Sequence, residues 1–323
     1  MSANLNLESA TALAAAMRGE IAKALVGQEA VVDQVLTAFF AGGHVLLEGV
    51  PGLGKTLLVR ALCRTFRGQH ARIQFTPDLM PSDVMGHSMY DPASGTFTLR
   101  KGPVFTHLLL ADEVNRAPAK TQSALLEVMQ ERQVTIDGQS LTVDAPFMAL
   151  ATQNPIEQEG TYPLPEAQLD RFLMKVYIGY PAESAEVDLV RRVTDGQVGD
   201  SLRVEDVRAL ASPEDILAVQ SIVSTLRVDD AVLAYAIAIT RATRGWPGVS
   251  MGAGPRGAIA LVRAGRASAL LAGRDFVTPD DVKAIAKPAL RHRLALAPES
   301  ELEGHTVDGI LDGILEKVAA PRR

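Results

Sequence analysis

The sequence contains one cysteine, few histidines and no long apolar segment. Cys63 has no partner for an internal disulfide, so we expect a small core side chain in a protein of a reducing compartment, the cytoplasm. The six histidines are scattered without a pair at ligand spacing, which predicts no zinc site. The longest apolar run, Ala231–Ile239, is too short to cross a bilayer, and the N-terminus lacks the basic region of a signal peptide. We therefore expect no membrane insertion.

The sequence also lacks a lysine-rich run. Its 32 basic and 38 acidic residues give a formal net charge of −6, so no footprint for duplex nucleic acid is visible and we do not expect nucleic acid as a partner. A local basic stripe inside an oligomer stays open. The chain has 323 residues, of which 47% are hydrophobic, and this is enough for a sizeable core and for two domains.

Residues 49–56 match the phosphate-binding loop pattern, which is Gly, four residues, then Gly-Lys-Thr. A short apolar strand precedes this run and an apolar helix follows it, which is the context that the motif needs. Glycines let backbone N–H groups close around a phosphate, and the helix N-terminus adds partial positive charge. Lys55 would reach the β- and γ-phosphates, and the Thr56 hydroxyl would bind Mg²⁺. The candidate nucleotide-binding residues here are Gly49, Pro51, Gly52, Leu53, Gly54, Lys55, Thr56 and Leu57.

An apolar strand from His107 ends in two adjacent carboxylates, Asp112 and Glu113. A buried strand has little reason to end in two acids unless they face a ligand. Asp112 would hold the Mg²⁺ that Thr56 also binds, and Glu113 would polarise the attacking water. No Asn-Lys-x-Asp run that would read guanine is present, so we expect ATP rather than GTP.

Strands alternate with helices as far as about Pro181, which predicts an α/β domain whose parallel sheet is covered by helices on both faces. Two β-hairpins interrupt this pattern, at about residues 88–99 and 134–143. Strand signals vanish afterwards and helical segments remain. We therefore predict an α/β nucleotide-binding core over residues 1–184 and a smaller all-helical lid over residues 185–323.

The motifs together resemble the MoxR family of AAA+ ATPases, in the helix-2-insert group. Besides the phosphate loop they comprise Leu110–Pro118, Ala151–Pro155 and Leu164–Phe172, and the resemblance extends from about Gly27 to Leu296. It implies the AAA+ P-loop fold with a helical lid, and ATP hydrolysis with Mg²⁺ in a homo-oligomeric ring, expected to be a hexamer. It also implies a chaperone-like role in remodelling or maturing client complexes, including metal-cofactor insertion with an adaptor that carries a von Willebrand factor A-type domain.

The resemblance implies further roles for single residues. Asn154 is similar to sensor 1, which orients the attacking water, although a turn-forming Asn before Pro is the alternative. Arg171 resembles the arginine finger that reaches the ATP of a neighbouring subunit. Its alternative is a surface arginine paired with Asp170 or Glu166.

Two other positions complete the implied site. Arg256 begins a lid helix and resembles sensor 2, acting within its own subunit or across the interface. Gly27 and Gln28 resemble the segment that contacts adenine, or else serve only as the entry to a helix. Arg116 is a candidate for contact with a neighbouring subunit, with a solvent-facing side chain as the alternative.

The interpretation is an ATP-hydrolysing ring ATPase that acts on other macromolecules. We expect the hairpin at residues 134–143 to project from the domain toward the central channel, where it would contact a client or adaptor. Two alternatives belong to other classes of protein: a nucleic-acid motor, and a nucleotide-gated binding module with little turnover. The absence of Lys and Arg from both hairpin tips counts against the first, and the presence of Glu113, Asn154 and Arg171 counts against the second.

Overall fold

A computed structural model describes residues 5–50, 52–93, 95–153, 161–194 and 204–321. The chain begins with two helices, α1 (Leu7–Ala24) and α2 (Glu29–Phe40). Helix α1 starts where it does because the Asn6 side chain accepts a hydrogen bond from the Ser9 backbone N–H at 2.9 Å. Its buried residues recur every three or four positions, so one stripe of the helix packs on the core.

The centre of the first domain is a five-stranded sheet in the order β2-β5-β8-β1-β9, in which every neighbouring pair is parallel. This confirms the predicted parallel sheet. Its strands are β1 (Val45–Glu48), β2 (His70–Gln74), β5 (Leu108–Asp112), β8 (Met148–Gln153) and β9 (Met174–Tyr177). The helices between them are α3 (Lys55–Thr65), α4 (Pro81–Met85), α5 (Ala119–Glu131) and α6 (Glu166–Leu169).

Both faces of the sheet are buried, and β5 shows how. Leu108 and Leu110 belong to a core cluster that contains α1, α2, α3 and much of the lid. Leu109 and Ala111 point to the opposite face and pack with α5 in a second cluster. Successive side chains of a strand point to opposite faces, so an unbroken apolar run is what a strand covered on both sides requires. Such a layout brings the polar carboxyl ends of the strands together at one edge.

Two antiparallel hairpins branch from the core. The first hairpin pairs β3 (Gly86–Asp91) with β4 (Thr96–Lys101), and the second pairs β6 (Gln133–Ile136) with β7 (Gln139–Thr142). Both lie where the sequence predicts them. The second hairpin does not simply project, because Val134 and Ile136 are buried in the second core cluster. Its outer part lines a cavity of about 490 Å³ with Phe97 and Leu99 of the first hairpin.

The described residues that follow β9 form a helical lid. Its helices are α7 (Glu183–Thr194), α8 (Pro213–Thr225), α9 (Asp230–Thr243), α10 (Pro255–Leu271), α11 (Pro279–Leu290), α12 (Pro298–Leu302) and α13 (Val307–Lys317). The lid also carries a small antiparallel ribbon that the sequence analysis missed, formed by β10 (Val249–Met251) and β11 (Ala295–Leu296). Within the described residues, no helix is long and apolar enough to cross a membrane.

Candidate active site

The phosphate loop connects β1 to α3. Gly52 and Gly54 have φ angles of 86° and 81°, a region that costs an L side chain energy, and Gly54 caps the N-terminus of α3. Gly49 is required for a different reason, because a Cβ atom there would lie 2.3 Å from the Ile178 carbonyl oxygen. Leu53 and Leu57 are partly buried and pack on the first core cluster, which anchors both ends of the turn. The backbone between them is thus shaped for an anion at a helix N-terminus.

Lys55 and Thr56 begin helix α3. The Lys55 ammonium donates a hydrogen bond to the Gly49 carbonyl oxygen at 2.7 Å, so it closes the loop on itself. Partial burial lowers the pKa of Lys55, and the charges of Asp112, Glu113 and Glu48 oppose that change. The Lys55 ammonium therefore interacts electrostatically with the carboxylates of Asp112 and Glu113. Thr56 is exposed, with its hydroxyl available to a ligand.

Asp112 ends strand β5, at the same edge of the sheet as the phosphate loop. The buried Thr152 of β8 holds both members of the acidic pair. Its hydroxyl donates to Asp112 Oδ1 at 2.6 Å and accepts from the Glu113 backbone N–H at 2.8 Å. Arg72 of β2 pairs with the other oxygen, Asp112 Oδ2, at 2.7 Å. Neither Thr152 nor Arg72 was among the site residues predicted from the sequence.

Glu113 has a φ angle of 56°, an uncommon backbone conformation for a side chain of this size. Its Oε2 atom accepts hydrogen bonds from Gln74 at 2.7 Å and from Arg116 at 3.0 Å. Arg116 is therefore engaged with the acid three residues before it, which neither interpretation of Arg116 from the sequence anticipated. Gln74 was also missed, although a polar residue ending β2 beside Asp112 is a usable signal.

Gly27 and Gln28 lie between α1 and α2, close to the segment that follows β9. A Cβ atom on Gly27, whose φ angle is 70°, would lie 2.6 Å from Ala185 Cβ. The Gln28 side chain is buried and donates to the Gly179 carbonyl oxygen at 2.8 Å. The Gln28 amide is thus hydrogen-bonded to the protein's own backbone, which agrees with the alternative that this segment serves only as the entry to a helix.

Arg171 and Arg256 lie together at the opposite edge of the sheet. Both line a cavity of about 330 Å³ beside His44 and Leu173, which directly precede the amino ends of β1 and β9. The phosphate loop follows the carboxyl end of β1, and a four-residue strand alone rises about 13 Å. The cavity that the two arginines line therefore lies at the sheet edge opposite the phosphate loop of their own chain.

The cavity between core and lid is strongly cationic. Among the described residues that line it, Asp170 is the only carboxylate, and the arginines are Arg132, Arg171, Arg256, Arg263 and Arg293. Asp170 contacts Arg293 at 2.8 Å and Arg256 at 3.7 Å. In the part of the chain that the structure describes, no ion pair joins Arg171 to Asp170 or to Glu166, the two partners of its alternative interpretation. The buried Arg171 Nε atom has no hydrogen-bond partner among the described residues.

Two predicted site residues, Pro51 and Asn154, lie outside the described residues. The other predicted residues fall into two groups at opposite edges of one sheet. The phosphate loop, Asp112 and Glu113 meet at the carboxyl edge, whereas Arg171 and Arg256 meet at the amino edge.

Comparisons with known proteins cover the same two parts of the chain. Residues 44–174 match the model of the "ATPase family associated with various cellular activities (AAA)", and residues 241–314 match the AAA lid domain. The uncharacterized protein YeaC of Bacillus subtilis is 45% identical over 93% of this chain and 92% of its own length. Chaperone MoxR1 of Mycobacterium tuberculosis is 41% identical over 94% of this chain and 81% of its own.

A solved structure agrees with these relatives. The crystal structure of a protein from Cytophaga hutchinsonii, assigned there as a possible ATPase, has a TM-score of 0.87 and 42% sequence identity. The match covers 98% of this chain and 99% of that one. Because likeness of this degree extends over sheet, hairpins and lid alike, the chain belongs to the MoxR family of AAA+ ATPases and is an ATP-hydrolysing enzyme.

Proposed function

We propose that each ATPase site is built by two subunits of a homo-oligomeric ring. One subunit supplies the phosphate loop with Lys55 and the acids Asp112 and Glu113. The neighbour supplies Arg171 and Arg256. The observation that carries this proposal is the meeting of Arg171, Asp170 and Arg256 at the sheet edge opposite the phosphate loop. Arginines at that edge serve a nucleotide only if the nucleotide belongs to another copy.

This arrangement bears on the question that the sequence left open for Arg256. Its position beside Asp170 favours action across the interface, together with Arg171. A contact of one sheet edge of each subunit with the other edge of the next is head-to-tail, and such contacts close into rings when the rotation allows. We propose a hexamer, on the resemblance to the family.

The residues at the carboxyl edge fit a magnesium nucleotide. Hydroxyl and carboxylate oxygens are the donors that Mg²⁺ prefers, and Thr56 and Asp112 would hold it. Mg²⁺ bound there would neutralise charge on the phosphate oxygens. Lys55 already lies in the field of the acids and would bind the β- and γ-phosphates. The backbone of Gly27 and Gln28 would flank the adenine.

Glu113 would accept the proton of the attacking water or polarise it. Its carboxylate is oriented by Gln74 and Arg116, and its backbone N–H by Thr152. Asn154, the next residue in the sequence after β8, would orient the same water. The two guanidinium groups of the neighbour would stabilise the charge that develops on the γ-phosphate, an effect worth about 10³–10⁵ in rate when an arginine finger supplies it.

We propose that the energy of hydrolysis is used in a chaperone-like role, on the likeness to Chaperone MoxR1. Clients would be protein complexes that are remodelled or matured, including by metal-cofactor insertion, and a von Willebrand factor A-type adaptor would present them. The first hairpin supports a client-binding surface, because its Tyr90 and Phe97 rings lie 5.3 Å apart and are 52% and 73% exposed. We propose the cytoplasm as the compartment, where the buried Cys63 stays reduced.

Mixed rings test the shared site. Arg171→Ala and Glu113→Gln subunits should each be inactive alone. A mixed ring contains interfaces at which an intact Glu113 faces an intact Arg171, so phosphate release should partly recover. As control, Arg171→Ala is mixed with the Arg171→Ala, Glu113→Gln double variant, which restores no such interface. If differently tagged subunits co-purify in one ring and the first mixture is as inactive as the control, the shared site is wrong.

A further inference from the structure

The 3₁₀ turn Arg291–Arg293 fastens the lid to the sheet. Arg291 pairs with Asp308 at 2.8 Å and lies over the Tyr177 ring of β9 at 4.2 Å. His292 is buried, and its Nε2 atom lies 3.0 Å from the Phe172 carbonyl oxygen. Arg293 is the most deeply bound of the three, with only 4% of its side chain exposed.

Arg293 binds the backbone on both sides of Arg171. Its Nη2 atom donates to the carbonyl oxygens of Phe172 at 2.7 Å and of Asp170 at 3.3 Å, and its Nη1 atom donates to the Leu173 carbonyl at 3.4 Å. Its Nε atom donates to Asp170 Oδ1 at 2.8 Å. The rigid fork of a guanidinium group can make all these bonds at once, whereas an ammonium group cannot.

Asp170 connects Arg293 to Arg256. One carboxylate oxygen is bound by Arg293, and the other lies 3.7 Å from Arg256 Nη1. The two arginines differ in freedom, because the Arg293 side chain is 4% exposed and that of Arg256 is 51% exposed. Arg293 is thus the fixed partner of Asp170, and Arg256 is the partner free to turn toward a ligand.

We propose that Arg293 and Asp170 are positioning residues for the two arginines that a subunit offers to its neighbour's nucleotide. Arg293 fixes the backbone that carries Arg171, and Asp170 keeps Arg256 beside it. The lid and the sheet edge then present both guanidinium groups as one unit. This inference rests on the proposed sharing of the site between subunits.

A buried ion pair that only holds the lid in place is the competing explanation. The two explanations differ in where a defect should appear. A positioning defect should affect only the interface to which the altered subunit supplies its arginines. A stability defect should appear wherever the altered subunit sits in the ring.

The test uses Arg293→Lys, which retains the charge beside Asp170 but loses the fork. In the mixture of Glu113→Gln and Arg171→Ala subunits, the former supplies the working arginines and the latter the working Glu113. Placed in the Glu113→Gln subunit, Arg293→Lys should lower the recovered ATPase rate about 10- to 100-fold, the effect expected of a misplacement near 1 Å. Placed in the Arg171→Ala subunit, it should leave the recovered rate within about twofold.

Arg274→Lys provides the matched control, because Arg274 forms a bidentate pair with Asp281 inside the lid. Arg274→Lys should change the recovered ATPase rate by the same factor whether it is placed in the Glu113→Gln subunit or in the Arg171→Ala subunit. Uniform rings of Arg293→Lys should show a lower kcat with an ATP Kd within about twofold of the parent. Equal effects of Arg293→Lys in both placements, or none in either, would overturn the positioning role. Failure of the parent mixture to recover activity would instead overturn the shared site, and the inference with it.

Discussion

Gln74 Nε2 lies 2.7 Å from Glu113 Oε2, so the last residue of an edge strand orients the second acid of the neighbouring strand. The contact follows from register, since Gln74 is the direct partner of Asp112 in the parallel pair β2–β5. Arg116, three residues after Glu113, donates to the same oxygen at 3.0 Å. The candidate base is thus held by two donors from its own chain.

The first prediction separates this base from the phosphate-binding residues. Glu113→Gln retains the size of the side chain, so the variant should fold and bind ATP yet lose hydrolysis by orders of magnitude, as removal of a group acting in the chemical step does. The measurements are ATP binding by calorimetry and single-turnover phosphate release. Near-normal turnover of Glu113→Gln would refute the assignment of Glu113 as base.

Lys55→Ala should block a step before the chemistry, the binding of ATP. The substitution removes the positive charge nearest the phosphate loop, so ATP binding itself should be lost, together with any stabilisation of the protein by the nucleotide. Thermal unfolding with and without MgATP measures this. A Lys55→Ala variant that ATP stabilises as much as it does the parent would exclude the proposed contact with the phosphates.

A pH-dependent contribution to stability is predicted for Glu20 of α1. Backbone and side-chain hydrogen bonds from Arg208, with one from Lys23, lower the Glu20 pKa from 4.5 to about 2. A folded-state pKa below the unfolded value stabilises the fold above the unfolded pKa, and this stability is lost as pH falls toward the folded pKa. Glu20→Gln should therefore cost more free energy of unfolding at pH 7 than at pH 4.

Urea unfolding at pH 7, 5 and 4 provides the measurement. The exposed Glu127 of α5 serves as control, and Glu127→Gln should have a small effect at each pH. A Glu20→Gln cost that does not shrink toward pH 4 would mean that the carboxylate charge contributes little to holding Arg208 against α1.

The turn of the second hairpin gives a prediction about backbone conformation. Asp137 and Gly138 have φ angles of 49° and 78°, as an Asp-Gly hairpin turn requires. No atom lies within 4 Å of a Cβ built on Gly138, so Gly138→Ala should destabilise through conformation alone, by about 1–2 kcal/mol. Gly245→Ala, equally unobstructed but without a positive φ, should not destabilise the protein. Equal unfolding midpoints for the two variants would contradict this account.

The sequence was sufficient where function depends on neighbours in the chain. The glycines of the phosphate loop, the acids that end β5 and the Asp-Gly turn are all local patterns, and the structure places each in the expected element. The buried face of the second hairpin had a local signal too, since Val134 and Ile136 alternate with polar residues. That alternation is typical of a strand packed on one side rather than of a projecting arm.

Other features depend on contacts between distant parts of the chain. Asp170 and Arg293 are 123 residues apart, and only the docking of the lid on the sheet brings them together. Thr152 acquires its role because β8 lies directly beside β5 in the sheet, an order that does not follow the chain. The ribbon β10–β11 has strands of three and two residues, too short for any periodicity to be seen.

The last prediction concerns the exposed aromatic pair of the first hairpin. Phe97 is 73% exposed but pairs with Tyr90 across the hairpin, so Phe97→Ser should lower the free energy of unfolding by no more than about 1 kcal/mol and leave the basal ATPase rate intact. If Tyr90 and Phe97 bind apolar segments of a client, an unfolded polypeptide such as reduced, carboxymethylated lactalbumin should stimulate the parent enzyme but not Phe97→Ser. Leu302→Ser removes an apolar side chain of the lid that is 89% exposed, and it should retain the stimulation. Loss of stimulation in both variants would point to general surface hydrophobicity, and its retention in Phe97→Ser would exclude the hairpin as the client-binding surface.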